Sequence, residues 1–170
     1  MIAGRVVSLQ LADVNTDVIA PAHGEAPFSM LAVPPVFDGP ILVTGPNFGC
    51  GSSRENAVWN LRDLGVQCVI AESFGDIFAG NCLQNGLLPI VLDGHTVERL
   101  VGETELMVDR DASTITTMAG EEISFTVHRV ALLDDAPALL AAVQRFEAAD
   151  RSRRPWVHDI NERDIEGAAP

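Results

Sequence analysis

Unbroken apolar runs punctuate the first half of the chain: Ile41-Leu42-Val43, Gln67 to Ala71, and Leu88 to Leu92. Runs without alternation suit strands buried on both faces, as in a parallel sheet. Between them the period is helical. Ser53 to Leu64 places Ala57, Val58, Leu61 and Leu64 on one face, and Gly65 stops it. A second helix starts near Ser73, whose spacing to Asp76 predicts a second cap, runs to about Asn85, and has Gly86 as its stop. Strand, helix, strand at this spacing predicts parallel strands joined by right-handed crossovers. Arg5 to Leu11 reads as a first strand. Val18-Ile19-Ala20 is a short apolar segment stopped by Pro21, and His95 to Val101 reads as a short helix.

From Glu105 the pattern changes. Glu105 to Asp109, Thr114 to Met118 and Glu122 to His128 read as antiparallel strands, turned at Asp111-Ala112-Ser113 and Ala119-Gly120. Asp135 to Ala149, with Leu139, Leu140, Val143 and Phe146, predicts a closing helix. The fold class is therefore α/β, a mixed sheet with helices on its faces, without internal repeat. Residues 1–150 are expected to form one domain. Residues 151–170 form a charged tail with Trp156, expected to be disordered or to lie against a partner. Residues 22–40 show no period and read as a long loop, a length usually functional or mobile.

The candidate chemistry lies in Gly45 to Glu55, GPNFGCGSSRE. Gly45, Gly49 and Gly51 let a backbone approach a ligand closely. Ser52 and Glu55 have the spacing of a capping box, which predicts Ser52 as the N-cap of the following helix. A glycine loop running into a helix start presents amides and a positive dipole end, a natural anion site. Arg54 adds a forked cation suited to a carboxylate or phosphate. The same loop is also compatible with a plain tight turn. It is neither a Walker A loop nor a dinucleotide fingerprint, and no nearby His supports a serine hydrolase.

Composition narrows the partners. The chain has 170 residues, 47% of them hydrophobic, and a net charge of −13. That charge argues against nucleic acid and anionic membrane as partners. No apolar run approaches the ~20 residues of a membrane span, and the N-terminus carries no secretory signal pattern, so a cytoplasmic location is expected. Cys50, Cys68 and Cys82 form no C-x-x-C pair, which speaks against a disulfide framework, a zinc site or a cluster ligand set. Cys68 and Cys82 read as core residues. Cys50, in the glycine loop, is either a reactive thiol or a packing residue.

The stretch GPNFGCGSSRENAVWNLRDLGVQCVIAESFGDIFAGNCLQNGLLPIVL resembles the signature of the small subunit of 3-isopropylmalate dehydratase, equivalent to the swivelling domain of aconitase. VNTDVIAPA is similar to that family's Asp-Thr-Asp motif, and the resemblance covers roughly Met1 to Trp156. It implies a swivelling β/β/α domain in a heterodimer. The large subunit would hold a [4Fe-4S] cluster on three cysteines, whose fourth iron binds the substrate's hydroxyl and carboxylate. The reaction implied is isomerisation of 2- and 3-isopropylmalate by dehydration and rehydration, in leucine biosynthesis.

Residue by residue, the resemblance makes Ser52 the catalytic base and Arg54 the grip on a substrate carboxylate. Ser53 and Gly51 are their neighbours at the site, and Asp17 orients a histidine of the large subunit. Each also has a plain structural role: Ser52 as a cap, Arg54 as a solvated cation, Asp17 as a turn residue. The family's specificity loop corresponds to the segment with Phe28, Met30 and Leu31, whose apolar character suits an isopropyl group. Its lack of arginine between His23 and Phe37 counts against citrate. Asn15 stands where the family often has Asp, and Asn56 where His is usual. Two alternatives stay open. One is a related dehydratase subunit acting on homoaconitate or a methylated malate. The other is a stand-alone anion-binding or regulatory module.

Overall fold

A computed structural model describes residues 1–21, 25–32, 35–52 and 54–127. The closing helix expected at Asp135 to Ala149 and the tail from Arg151 lie outside the described residues.

The apolar runs form the parallel half of the sheet. β2 (Ile41–Thr44), β3 (Cys68–Ala71) and β4 (Leu88–Val91) pair in parallel in chain order. β1 (Ile2–Leu9) adds to β2 in parallel, with Val6 opposite Ile41 and Leu9 opposite Thr44. Its first half pairs antiparallel with β5 (Glu105–Asp109), Ile2 opposite Val108. That pairing explains why the strand begins earlier than the apolar pattern alone predicts; the strand ends at Leu9, opposite the last residue of β2. β6 (Thr114–Thr117) and β7 (Glu122–Ser124) continue antiparallel outward from β5. β8 (Thr126–Val127) pairs antiparallel with β4 at the opposite edge.

The strand order is β7-β6-β5-β1-β2-β3-β4-β8. This splits the single strand expected from Glu122 to His128 in two. Ser124 and Thr126 are two residues apart, so they lie within about 7 Å of one another. Laid flat, the outermost strands of eight would be separated by about 34 Å. The sheet must therefore curl until its edges nearly meet. Phe125, buried at the crossing, anchors it with its amide donating to Ser113 O at 3.0 Å.

Each face of the sheet carries its own core. On one face Val7, Leu9, Leu42, Val69 and Ala71 pack with three helices. These are α1 (Thr16–Ile19), α2 (Glu55–Asp63) and α3 (Asp76–Gln84). On the other, Ile41, Val43, Cys68, Ile70, Leu88 and Ile90 pack with Val97 and Leu100 of α4 (Gly94–Val101) and with the inner side of the hairpin strands. β2 and β3 are buried at every position, whereas β5 and β6 alternate. This is the difference between two-sided and one-sided cover. Among the described residues, no helix is long and apolar enough to cross a membrane.

Candidate functional site

The glycine loop leaves the end of β2 and runs between two flanking segments. On one side, Asp13 N donates to Pro46 O at 3.0 Å, Gly49 N to Val14 O at 2.7 Å, and Thr16 N to Cys50 O at 2.9 Å. On the other, Phe48 N donates to Ser73 O at 3.1 Å and Gly75 N to Phe48 O at 3.0 Å. The loop is thus hydrogen-bonded on both sides, like a strand. Underneath lie Phe48, Phe74 and Phe78, with ring centroids 5.5 to 6.5 Å apart. Gly49 (φ +74°) and Gly51 (φ +90°) occupy the left-handed backbone region, which costs a β-carbon dearly. Gly49 also backs directly onto the Phe78 ring.

The capping boxes do not form. Arg54, itself in an extended conformation, is the N-cap of α2 and makes no side-chain cap bond. Glu55 instead accepts from Asn85 Nδ2 at 3.1 Å, and the Ser52 carbonyl accepts from Thr16 Oγ1 at 2.6 Å. Ser73 likewise caps nothing. Its Oγ accepts from Asn47 N at 2.8 Å, tying down the loop, and α3 starts at Gly75 without a side-chain cap. Two helix starts lacking side-chain caps therefore flank the loop, which leaves their dipole ends available to an anion. Asn15 Oδ1 does cap α1, accepting from Val18 N at 3.0 Å; an Asp there would do the same.

Ser52 and Gly51 are exposed, and Arg54 is half-buried. Asp17 belongs to α1, and its carboxylate forms an ion pair with the Arg54 guanidinium. The fold therefore gathers Asp17, Gly51, Ser52 and Arg54 at one end of the loop; Ser53 lies outside the described residues. Thr16 belongs to this constellation too, through its bond to the Ser52 carbonyl. Its only sequence signal is a hydroxyl within a polar turn.

The three loop residues separate. Phe28 is wholly buried at φ +60°, its ring tilted against that of Phe37 with centroids 5.0 Å apart, and anchors its segment from beneath. Leu31 packs half-buried on the same core, while Met30 is 63% exposed and free to meet a bound molecule.

A cleft of about 470 Å³ lies between α4 and the ends of β1 and β2, beside the first loop residues Gly45 and Pro46. Its charged lining groups are Glu72 and Glu98, with no cation, so it does not suit an anionic substrate. The cysteines do not converge. Cys68 and Cys82 are buried in opposite cores, where burial pushes both thiols well above their ordinary pKa, and Cys50 is half-buried in the loop. Among the described residues no His, Cys, Asp or Glu side chains gather as a metal site.

Residues 23–95 match the aconitase C-terminal domain family. A solved 3-isopropylmalate dehydratase from Methanocaldococcus jannaschii superposes with a TM-score of 0.59, covering 89% of this chain and 98% of that one at 24% identity, a likeness of fold. The 3-isopropylmalate dehydratase small subunit of Jannaschia sp. (strain CCS1) is 44% identical over 78% of this chain and 74% of its own. That of Erythrobacter litoralis is 35% identical over 95% and 96%. Likeness at this level, carried across nearly the full length of a relative, means that the chain belongs to the family of 3-isopropylmalate dehydratase small subunits.

Proposed function

We propose that this chain is the small subunit of a cytoplasmic hydro-lyase that interconverts 2- and 3-isopropylmalate in leucine biosynthesis and works only with a large subunit. The observation that carries the reading is the meeting of Ser52, Arg54 and the loop glycines at a helix start lacking a side-chain cap. Arg54 binds a substrate carboxylate through its planar fork. The Ser52 hydroxyl, as alkoxide, takes the proton from the carbon beside that carboxylate; the dipole end and Arg54 stabilise its charge. Ser53 is assigned to substrate binding as well. Met30 faces the substrate's apolar branch. Residues 1–150 act as one swivelling domain.

The cysteines of this chain do not fit a cluster's ligand set, since two are sealed in opposite cores. The [4Fe-4S] cluster is assigned to the large subunit, where it would supply a Lewis-acid site for the departing hydroxyl. The test is kinetics on the reconstituted pair. Ser52→Ala should lower kcat severely with KM little changed, and Arg54→Lys should raise KM. A Ser52→Ala enzyme with near-normal kcat, or dehydratase activity of this chain alone, would overturn the reading.

A further inference from the structure

We infer that Thr16 and Asp17 are positioning residues, with Thr16 fixing Ser52 and Asp17 fixing Arg54. The inference rests on the roles proposed above for Ser52 and Arg54. The segment from Asp13 to Asp17 runs along the glycine loop and bonds to it at successive points. Asp13 Oδ1 accepts from Asn47 Nδ2 at 2.7 Å, Val14 O accepts from Gly49 N, and Asn15 lies opposite Cys50 in a parallel bridge. The last two residues of the segment meet the two proposed catalytic and binding positions.

Thr16 is 1% exposed. A buried hydroxyl persists only when it is bonded, and this one donates to the Ser52 carbonyl across 36 residues of sequence. The Ser52 side chain is exposed, so packing does not hold it. Its place is set through its backbone, and the Thr16 hydroxyl grips that backbone. Asp17 sits on a turn that cannot drift. Asn15 caps the turn, Ile19 is wholly buried, and the Ile19 carbonyl accepts from Asn60 Nδ2 of α2 at 3.2 Å. The Asp17–Arg54 pair is half-exposed on both sides. Pairs of that kind add little to stability, but a carboxylate on a fixed turn limits where the guanidinium can point. Five donors leave Arg54 free to hold a substrate carboxylate while Asp17 keeps one Nη.

The two grips act on different kinetic parameters, which a general loss of structure would not do. In the reconstituted enzyme, Thr16→Val should lower kcat by on the order of tenfold with KM nearly kept, the worth of one lost hydrogen bond to the backbone that carries the reacting hydroxyl. Thr16→Ser, which keeps the hydroxyl, should restore it. Asp17→Ala should raise KM by about tenfold with kcat nearly kept, and Asp17→Asn should fall between. Charge alone predicts the opposite, because removing a carboxylate beside Arg54 strengthens its pull on an anion. A fall in KM for Asp17→Ala would therefore show that Asp17 masks Arg54 and would overturn the inference. So would a normal kcat in Thr16→Val, or a parallel loss of kcat, KM and melting temperature in both variants. If Thr16→Val fails to fold, Asp17→Ala, on a half-exposed side chain, decides alone. An inactive Ser52→Ala beside a fully active Thr16→Val would sink this inference and spare the proposed function. An active Ser52→Ala would sink the function itself.

Discussion

Gly49→Ala tests whether the glycine loop is held as tightly as its contacts imply. At φ +74° a β-carbon meets its own backbone, which costs about 1–2 kcal/mol. The new methyl group would also enter the ring of Phe78, well inside the ~3.5 Å of normal carbon contact. Neither side can yield easily. Phe78 is 2% exposed and locked between Phe48 and Phe74, while Gly49 N is fixed to Val14 O. Overpacking of this kind costs about 1–3 kcal/mol, so the sum is roughly 2–5 kcal/mol. For a chain of this size that lowers Tm by roughly 5–20 °C, read by circular dichroism on heating. Phe78→Leu makes room, so the double variant should lose less than the sum of the two single losses, by about 1–3 kcal/mol. If Gly49→Ala melted with the parent, both the strain and the clash would be refuted. Simple additivity in the double variant would refute the clash alone.

Thiol reactivity should separate the cysteines. In the native protein a thiol reagent should modify Cys50 only, and Cys68 and Cys82 should react after denaturation, because burial raises their pKa and blocks access; peptide mapping showing native labelling of Cys68 or Cys82 would refute the core assignments. Asp93 should contribute to the acid limb of stability: the Thr96 hydroxyl and then the Thr96 amide donate to its carboxylate and lower its pKa. A lowered folded pKa gives stabilisation that is present above the ordinary carboxylate range and lost as pH falls through the lowered value. Urea titrations of the parent and Asp93→Asn should therefore converge in acid, and a constant gap from neutral to acid pH would contradict the linkage.

Much of the fold is legible in the residues. Two-sided burial leaves an unbroken apolar run, so β2, β3 and β4 stand within a residue of their expected bounds. The glycines and Arg54 likewise announce an anion site, because their chemistry is local. The failures share one cause. The spacings Ser52 to Glu55 and Ser73 to Asp76 fit capping boxes, yet the partners that win come from elsewhere in the chain. Asn85 takes Glu55, Thr16 takes the Ser52 carbonyl, and Asn47 takes Ser73. A local motif states what a side chain can bond, and the tertiary fold decides which competitor reaches it first. The split of β7 from β8 is of the same kind, since only the curling of the sheet brings Thr126 to β4. So too with Phe28, whose apolar character fits a substrate contact or a core equally well; the packing against Phe37 puts it in the core. The sequence by itself determined the elements and the chemical groups on offer. Only the tertiary structure decided that the turn at Asn15 to Asp17 and the loop at Cys50 to Arg54 form one unit, because their bonds join positions more than thirty residues apart.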